Sequence, residues 1–373
     1  MCRRADRVDR PSAFFGDPAM KILAIDLGKV KSVACDYASD TGEHVFETCR
    51  TAPEVLEELF FRRRPDRVVI EVGPSAGWIS DLTARLKIEL QVANPSHEGW
   101  RWRSVKKKTD RVDAVKLARL SAVNQLPLVT VPSKEVREWR SLIHYRQGLV
   151  ARRTAIKNTI RAILNRQALA TPLGKKGWTR QTRRRLDELA GASGDMAAFW
   201  ATLPPTEWWR GQLAEDLRQL DEVECAIGSV ERRLDAYAAK KKAVQRLRSA
   251  PGIGPRLSET VVAIIGDPHR FKDGRQVAAY AGLVPRVFQS GSVDRKGRIT
   301  GAGNRYLRGM LVEVSWLGLR TNPWMRQVFE RICRGCPSRR KIAIVAVARR
   351  LLIWCWAMMR DDQDWDPAAL AAA

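Results

Sequence analysis

Two short apolar runs, each carrying a carboxylate, constrain this chain most. One is Lys21-Ile-Leu-Ala-Ile-Asp-Leu-Gly28 and the other is Arg67-Val-Val-Ile-Glu71. Both read as short buried strands. A carboxylate in such a strand is costly to bury unless something pairs with it. Two more acids, Asp110 and Asp113, lie three apart in Lys108-Thr-Asp-Arg-Val-Asp-Ala-Val-Lys-Leu-Ala118, which puts them on one helix face. Two strand carboxylates and a helical pair point to a divalent cation as the common partner.

The surrounding pattern predicts an α/β region over residues 20–130. Strands are expected at 22–26, 32–37 and 44–49, with Ser39-Asp-Thr-Gly42 as the turn between the second and third. A helix at 54–63 stops at Pro65-Asp66, and a strand at 68–72, a helix at 78–87, a strand at 88–92 and a helix at 111–120 follow. The order β-β-β-α-β-α-β-α is the RNase H-like arrangement. There the first and fourth strands are neighbours, so Asp26 and Glu71 project from one edge of the sheet. Four carboxylates converging with Asp110 and Asp113 repel one another. Mg²⁺, or Mn²⁺, neutralises them through hard oxygen ligands, and two such ions can clamp the attacking and leaving oxygens of a phosphodiester. Plainer readings exist for each residue alone. Asp26 can be a satisfied strand-end residue, Glu71 a turn residue, Asp110 a helix cap and Asp113 a solvated first-turn acid. The quartet in order outweighs them.

Residues 133–249 read as two long helices. Leu142, Leu149, Ile156 and Ile163 recur every seven residues, and Leu213, Leu217, Leu220, Val223, Ile227, Val230, Leu234 and Tyr237 step by three or four. These are the seams of a helical hairpin or coiled coil, and a coiled coil is a reason to expect oligomers. Between them, residues 171–210 are rich in Gly, Pro, Trp, Lys and Arg and are expected as a flexible insertion that orders on a partner. Residues 250–360 read as a third, mainly helical domain opening with Pro251-Gly-Ile-Gly-Pro255. That turn resembles a helix-hairpin-helix, whose glycines let N–H groups approach phosphate; a tight turn between packed helices explains it equally well. Residues 1–19 lack periodicity and a signal-peptide apolar core, and are expected to be disordered or to precede the true start at Met20. The tail, 361–373, is expected to fray.

The net charge of +25 and a pI near 10.4 predict a polyanion partner, DNA or RNA. Trp100-Arg-Trp-Arg-Ser-Val-Lys-Lys-Lys108 interleaves aromatics with cations, so Arg101, Arg103, Lys106, Lys107 and Lys108 are candidate backbone contacts with Trp faces for unpaired bases. Arg295, Lys296, Arg298, Arg305 and Arg308 form a second group of candidate contacts, and Arg339, Arg340, Lys341, Arg349 and Arg350 a third. Seven cysteines without framework spacing point to a reducing cytoplasm. Cys333 and Cys336 form one CxxC with no second pair or nearby His, too few ligands for structural zinc. Residues 351–359 are apolar but too short to cross a membrane, and no membrane role is expected. His97 and His144 are isolated and carry no expected chemistry.

Ile25-Asp-Leu-Gly-Lys29, Val69-Ile-Glu-Val-Gly-Pro-Ser-Ala-Gly77 and Lys108-Thr-Asp-Arg-Val-Asp-Ala114 resemble the DEDD motifs of the IS110 family of insertion-sequence recombinases, relatives of the Piv-type invertases. Pro251-Gly-Ile-Gly-Pro255, Phe271, Ala279-Tyr-Ala-Gly-Leu-Val-Pro285, Gln289-Ser-Gly291 and Gly303-Asn-Arg-Tyr-Leu-Arg308 resemble that family's C-terminal transposase domain. The resemblance implies a RuvC-like catalytic domain, strand breakage and rejoining on DNA, and a serine nucleophile that forms a phosphoserine intermediate. Ser290 is the best position for it, with Ser292 as competitor. The two domains would then meet at one site, within one subunit or between two. Many members carry Ser-Lys after the isoleucine where this chain has Thr300-Gly301, which disfavours a serine further downstream. The resemblance also implies a bridge RNA that pairs with donor and target DNA, a dimer or tetramer, and a bacterial, nucleoid-associated location. Two rivals are a RuvC-like junction endonuclease that uses water and a domesticated nucleic-acid-binding protein without catalysis.

Overall fold

The computed structural model describes residues 20–94, 109–170, 174, 176–192, 194–290 and 293–366. The chain divides after Arg137 into two compact units.

The first unit has the element order expected from its sequence: β1 (Lys21–Leu27), β2 (Lys31–Ala38), β3 (His44–Arg50), α1 (Pro53–Arg63), β4 (Arg67–Glu71), α2 (Ala76–Leu86), β5 (Glu89–Ala93) and α3 (Asp110–Ala122). The five strands lie in the order β3-β2-β1-β4-β5. β1 runs antiparallel to β2 and parallel to β4, with Ile25 opposite Ile70. A strand in mid-sheet with both faces covered reads as an unbroken apolar run rather than an alternation, and Ile22, Leu23, Ala24 and Ile25 are all buried. Leu23, Ile25, Val68 and Ile70 pack with Leu56, Phe60 and Ile79 of α1 and α2. Ile22, Ala24 and Val69 face the other way, onto Ala114, Leu117 and Ala118 of α3. Three layers result, with α3 alone on its side of the sheet among the described helices.

The second unit begins with α4 (Lys134–Arg166), whose first turn precedes the boundary, and continues through α5 (Arg180–Ala190), α6 (Met196–Thr202) and α7 (Trp208–Ala238). α4 and α7 form an antiparallel hairpin. Arg146 pairs with Glu231, Lys157 with Glu224, and Arg166 donates to Gln212. Leu149 packs on Val223 and Ile227, while Ile160, Ile163 and Leu164 pack on Leu213, Leu217 and Leu220. The two apolar seams thus face each other within one chain, so they no longer argue for oligomerisation.

The insertion expected to be flexible is helical where it is described. Thr179 caps α5, accepting from the Thr182 N–H, and Gly191 ends it in the left-handed region at φ 68°. Leu186 and Ala190, four apart, then reach the α4–α7 core. The high charge of this stretch masks that small apolar stripe.

The remainder comprises α8 (Lys242–Arg248), α9 (Pro255–Ile265), α10 (Gly274–Tyr280), β6 (Pro285–Ser290), β7 (Val293–Ile299), α11 (Arg305–Gly318), α12 (Pro323–Cys333) and α13 (Arg340–Arg360). β6 and β7 form a two-stranded hairpin. One helical stretch, Pro337–Arg360, is by length and composition able to cross a membrane, at 24 residues and a mean hydropathy of 1.8 over an 18-residue window. The sequence expectation is corrected here: Arg349 and Arg350 interrupt the apolar run without interrupting the helix. Its Val347, Ala348, Leu351, Leu352 and Cys355 are the centre of this region's core, together with Leu257, Val261, Leu307 and Leu311. With 56% of the apolar window buried, it is the core helix of the unit.

Candidate active site

Asp26 and Glu71 each lie one residue beyond Ile25 and Ile70, the last paired positions of the parallel strands β1 and β4. Side chains alternate along a strand, so both acids take the face of Ala24 and Val69, which is the face α3 covers. The direction of α3 follows from its far end. Arg67, at the start of β4 and almost fully buried, donates to the Ser121 carbonyl oxygen at 3.3 Å and pairs with Glu89 at 2.9 Å. Ser121 in turn donates to Gln91 at 2.7 Å. The last turn of α3 therefore sits at the beginning of β4, and its first turn lies toward the end where Asp26 and Glu71 stand.

Thr109, rather than Asp110, caps that first turn, accepting from the Val112 N–H at 3.4 Å. Asp110 and Asp113 are inside the helix. They continue the stripe of Ala114, Leu117, Ala118 and Ser121 that α3 turns to the sheet. The positive end of a helix dipole favours acids at this position by roughly 0.3–1 kcal/mol each. Asp26, Glu71 and Asp113 are half-buried and Asp110 is exposed. Topology thus brings the four acids to one face and one end of the sheet. Among the described residues, however, no three His, Cys, Asp or Glu side chains are grouped closely enough to hold a metal ion. The donors are all hard oxygens, the type that suits Mg²⁺ or Mn²⁺. Together they form an acidic rim at this end of the sheet.

Ser290 belongs to the second unit. It is the last residue of β6, is exposed, and pairs with Val293 across the hairpin. Among the described residues no hydrogen bond of its hydroxyl is found. Phe288 shares its face by strand alternation, and the Arg295 guanidinium lies 5.7 Å from the Phe288 ring centroid. Lys296 stands opposite Val287 in the ladder. Arg298 and Arg305 are exposed. Ser292, Arg101, Arg103, Lys106, Lys107 and Lys108 lie outside the described residues.

The base of the hairpin is pinned by features that the motif residues carry. Gly282, at φ 69°, leaves only 1.8 Å between a would-be Cβ and the Ala302 carbonyl oxygen, and Gly303, at φ 82°, only 2.0 Å to that of Tyr280. The Thr300 N–H donates to Val284 at 2.8 Å and the Gly301 N–H to Gly282 at 3.3 Å. Arg308, read from sequence as a phosphate contact, donates to the carbonyl oxygens of Ala281 at 2.8 Å and Ala302 at 3.3 Å. Its guanidinium braces the two crossing loops. In Pro251-Gly-Ile-Gly-Pro255, Gly252 sits against Thr321 and Gly318 while Gly254 faces open space. Asn322 donates to the Pro251 carbonyl oxygen at 2.9 Å. One side of this turn is packed and the other is accessible.

A buried polar network in the second unit went unread in the sequence. Glu259 of α9 is 1% exposed. Arg256 lies 3.4 Å from it and also pairs with Asp235. Its Oε2 has no hydrogen-bond partner. Burial pushes the carboxyl from 4.5 up to about 7, against the pull of Arg256. The Tyr306 hydroxyl bonds with Thr260 and Arg146, and burial raises the phenol above its ordinary value. The available signal was the acid at position 259 among Leu257, Val261 and Ile264.

Residues 23–168 match a DEDD transposase family profile, and residues 244–330 match the profile of the transposase IS116/IS110/IS902 family. A probable family 20 transposase of Pseudomonas aeruginosa is 29% identical over 93% of this chain and 100% of its own length. A transposase of a Coxiella burnetii insertion sequence element is 28% identical over 91% of this chain and 90% of its own. The pilin gene-inverting protein of Moraxella lacunata is 30% identical over 32% of this chain and 38% of its own. Two characteristic domains in the right order, with full-length relatives across both, lead to one assignment: this chain belongs to the IS110/IS116/IS902 family of insertion-sequence transposases.

Proposed function

We propose that the protein breaks and rejoins DNA strands as the recombinase of an insertion sequence, with a RuvC-like, RNase H-like first unit and a serine-bearing second unit. The observation that carries this reading is the position of Asp26 and Glu71 on neighbouring parallel strands, on the face covered by α3, whose first turn bears Asp110 and Asp113. The strand order β3-β2-β1-β4-β5 supports the RNase H-like assignment. Asp26, Glu71, Asp110 and Asp113 would hold Mg²⁺ or Mn²⁺. When bound, a divalent ion neutralises charge at the scissile phosphate.

The chain's own residues supply the rest. The Ser290 oxygen attacks phosphorus and loses its proton; the bridging oxygen leaves and takes up a proton, and a phosphoserine ester remains. Attack by the hydroxyl of the incoming strand forms the new phosphodiester and returns the serine. Exposure at the tip of a pinned hairpin suits a nucleophile that must reach a duplex, and Arg295 beside Phe288 suits a phosphate nearby. The likeness to a pilin gene-inverting protein favours strand exchange over plain hydrolysis. The net charge of +25 suits DNA together with a guide RNA in the cytoplasm. A homo-oligomer rests on family resemblance alone, since the α4–α7 seam closes on itself.

The test uses purified protein, a DNA substrate carrying the element ends, divalent metal, and RNA transcribed from the element's non-coding flank. Wild type gives recombinant DNA and a covalent protein–DNA adduct. Ser290→Ala gives neither, and Asp26→Asn abolishes cleavage. Cleavage retained by Ser290→Ala would establish water as the nucleophile and the endonuclease reading. Recombination retained by Asp26→Asn would refute the carboxylate site, and recombination without RNA would remove the guide.

A further inference from the structure

Within the second unit, a cleft of about 960 Å³ opens between α4 and α11. That is at the large end of the roughly 300–1,000 Å³ usual for sites that enclose a small molecule. Its walls differ in rigidity. Arg146 is held by Glu231 at 2.6 Å, and the Tyr306 hydroxyl is held by Thr260 and Arg146, so this side is preorganised. His144, Gln147, Arg305 and Glu313 are exposed. Arg305 has no hydrogen bond or ion pair among the described residues.

The chemistry of the walls selects an occupant. The rings of His144 and Tyr306 lie 5.5 Å apart and are tilted by 52°. They form a bent aromatic wall rather than a stack, so an exposed face of His144 remains for a third flat ring. Gln147 offers an amide donor and acceptor, and Glu313 an acceptor for an exocyclic amine. Arg305 supplies an unneutralised charge beside them. A flat ring with a hydrogen-bonding edge and an attached anion is a nucleotide. A base inside a duplex has its faces covered by neighbouring bases, so only an unpaired one can use the wall.

We propose that this cleft binds an unpaired nucleotide of a single-stranded segment, with the base on His144 and Tyr306, the phosphate on Arg305, and the base edge against Gln147 and Glu313. No residue of the acidic rim or of the β6–β7 hairpin lines the cleft, so it stands independently of strand cleavage.

The test measures binding of short labelled single strands to the full-length protein across a salt series, in a DNA arm and an RNA arm of the same sequence, with the matching duplex alongside. His144→Ala is expected to weaken single-strand binding by about tenfold, within the range for loss of one base–aromatic contact, and to leave duplex binding unchanged. His144→Phe keeps a flat face and is expected to retain wild-type affinity. Arg305→Ala is expected to weaken binding and flatten the salt dependence by about 0.7, the slope of one phosphate contact on a single strand. The arm that shows these losses identifies the strand as DNA or RNA. Unchanged affinity of both alanine variants in both arms overturns the proposal. So does an equal loss on duplex with His144→Ala, or a phenylalanine variant as weak as alanine. Binding is read without divalent metal and without cleavage, which separates this result from the fate of the catalytic reading.

Discussion

Glu259→Gln should stabilise the second unit at alkaline pH and leave it unchanged in acid. The carboxyl is 1% exposed, and burial raises it from 4.5 to about 7 in the folded chain. The folded state therefore prefers the protonated acid. Between those two values the folded chain binds more protons than the unfolded one, so stability falls as pH rises. The contribution is fully present below the unfolded value of 4.5 and lost by the time pH has passed about 7. Each pH step is worth about 1.4 kcal/mol, so the ionised carboxylate costs roughly 3 kcal/mol after the attraction of Arg256 is included. Glutamine has the same shape as the protonated acid and no charge, so it reproduces the acid-side stability at every pH. At about pH 8 the variant should unfold roughly 6–12 °C above wild type, given about 2–4 °C per kcal/mol for a unit of this size. At about pH 3.5, below the unfolded value, the carboxyl is protonated in both states and the two should coincide. The assay is thermal unfolding followed by near-ultraviolet circular dichroism across that range. Every other residue is common to the two proteins, so the difference between the curves isolates Glu259. Parallel curves, or a glutamine variant less stable at alkaline pH, would refute the burial argument.

Four further outcomes are expected. Gly282→Ala should destabilise the second unit by more than about 2 kcal/mol, because its Cβ would meet a carbonyl oxygen at 1.8 Å with φ at 69°. Gly254→Ala, with nothing within 4 Å, should leave the melting temperature nearly unmoved in the same thermal scan. Arg308→Ala should cost about 1–3 kcal/mol by orphaning two carbonyl oxygens, seen as faster hydrogen exchange at residues 282–284 and 300–301. A chelator should abolish DNA cleavage and Mn²⁺ restore it, with no change in the unfolding curve, because the first unit's core is closed by apolar packing on both faces of its sheet.

Local spacing made part of this architecture legible. The apolar runs at Ile22–Ile25 and Val68–Ile70 required central strands, and the helical patterns between them gave the element order that is found. The steps of Leu213, Leu217, Leu220 and Val223 marked a long helix, and so they lie on one. Where local signals competed, reading was harder. Arg349 and Arg350 hid the continuity of α13, and the charge of residues 180–190 hid the pair Leu186 and Ala190 that docks α5. Thr109 took the cap that Asp110 could also have filled, since either side chain can accept from the first turn.

By itself the amino-acid sequence determined which residues alternate, which repeat along a helix, and hence that four acids sit on two strands and one helix. Those properties depend on neighbours a few positions away, and the backbone geometry of strand and helix translates them directly. Only the tertiary structure decided that the α4 and α7 seams meet each other, that Arg67 holds the far end of α3 and so turns its acids toward Asp26 and Glu71, and that Arg308 binds loop carbonyls rather than solvent. It also decided that Glu259 is buried. Each of these joins residues tens of positions apart, and a charge or an apolar stripe takes its meaning from what the fold places opposite it.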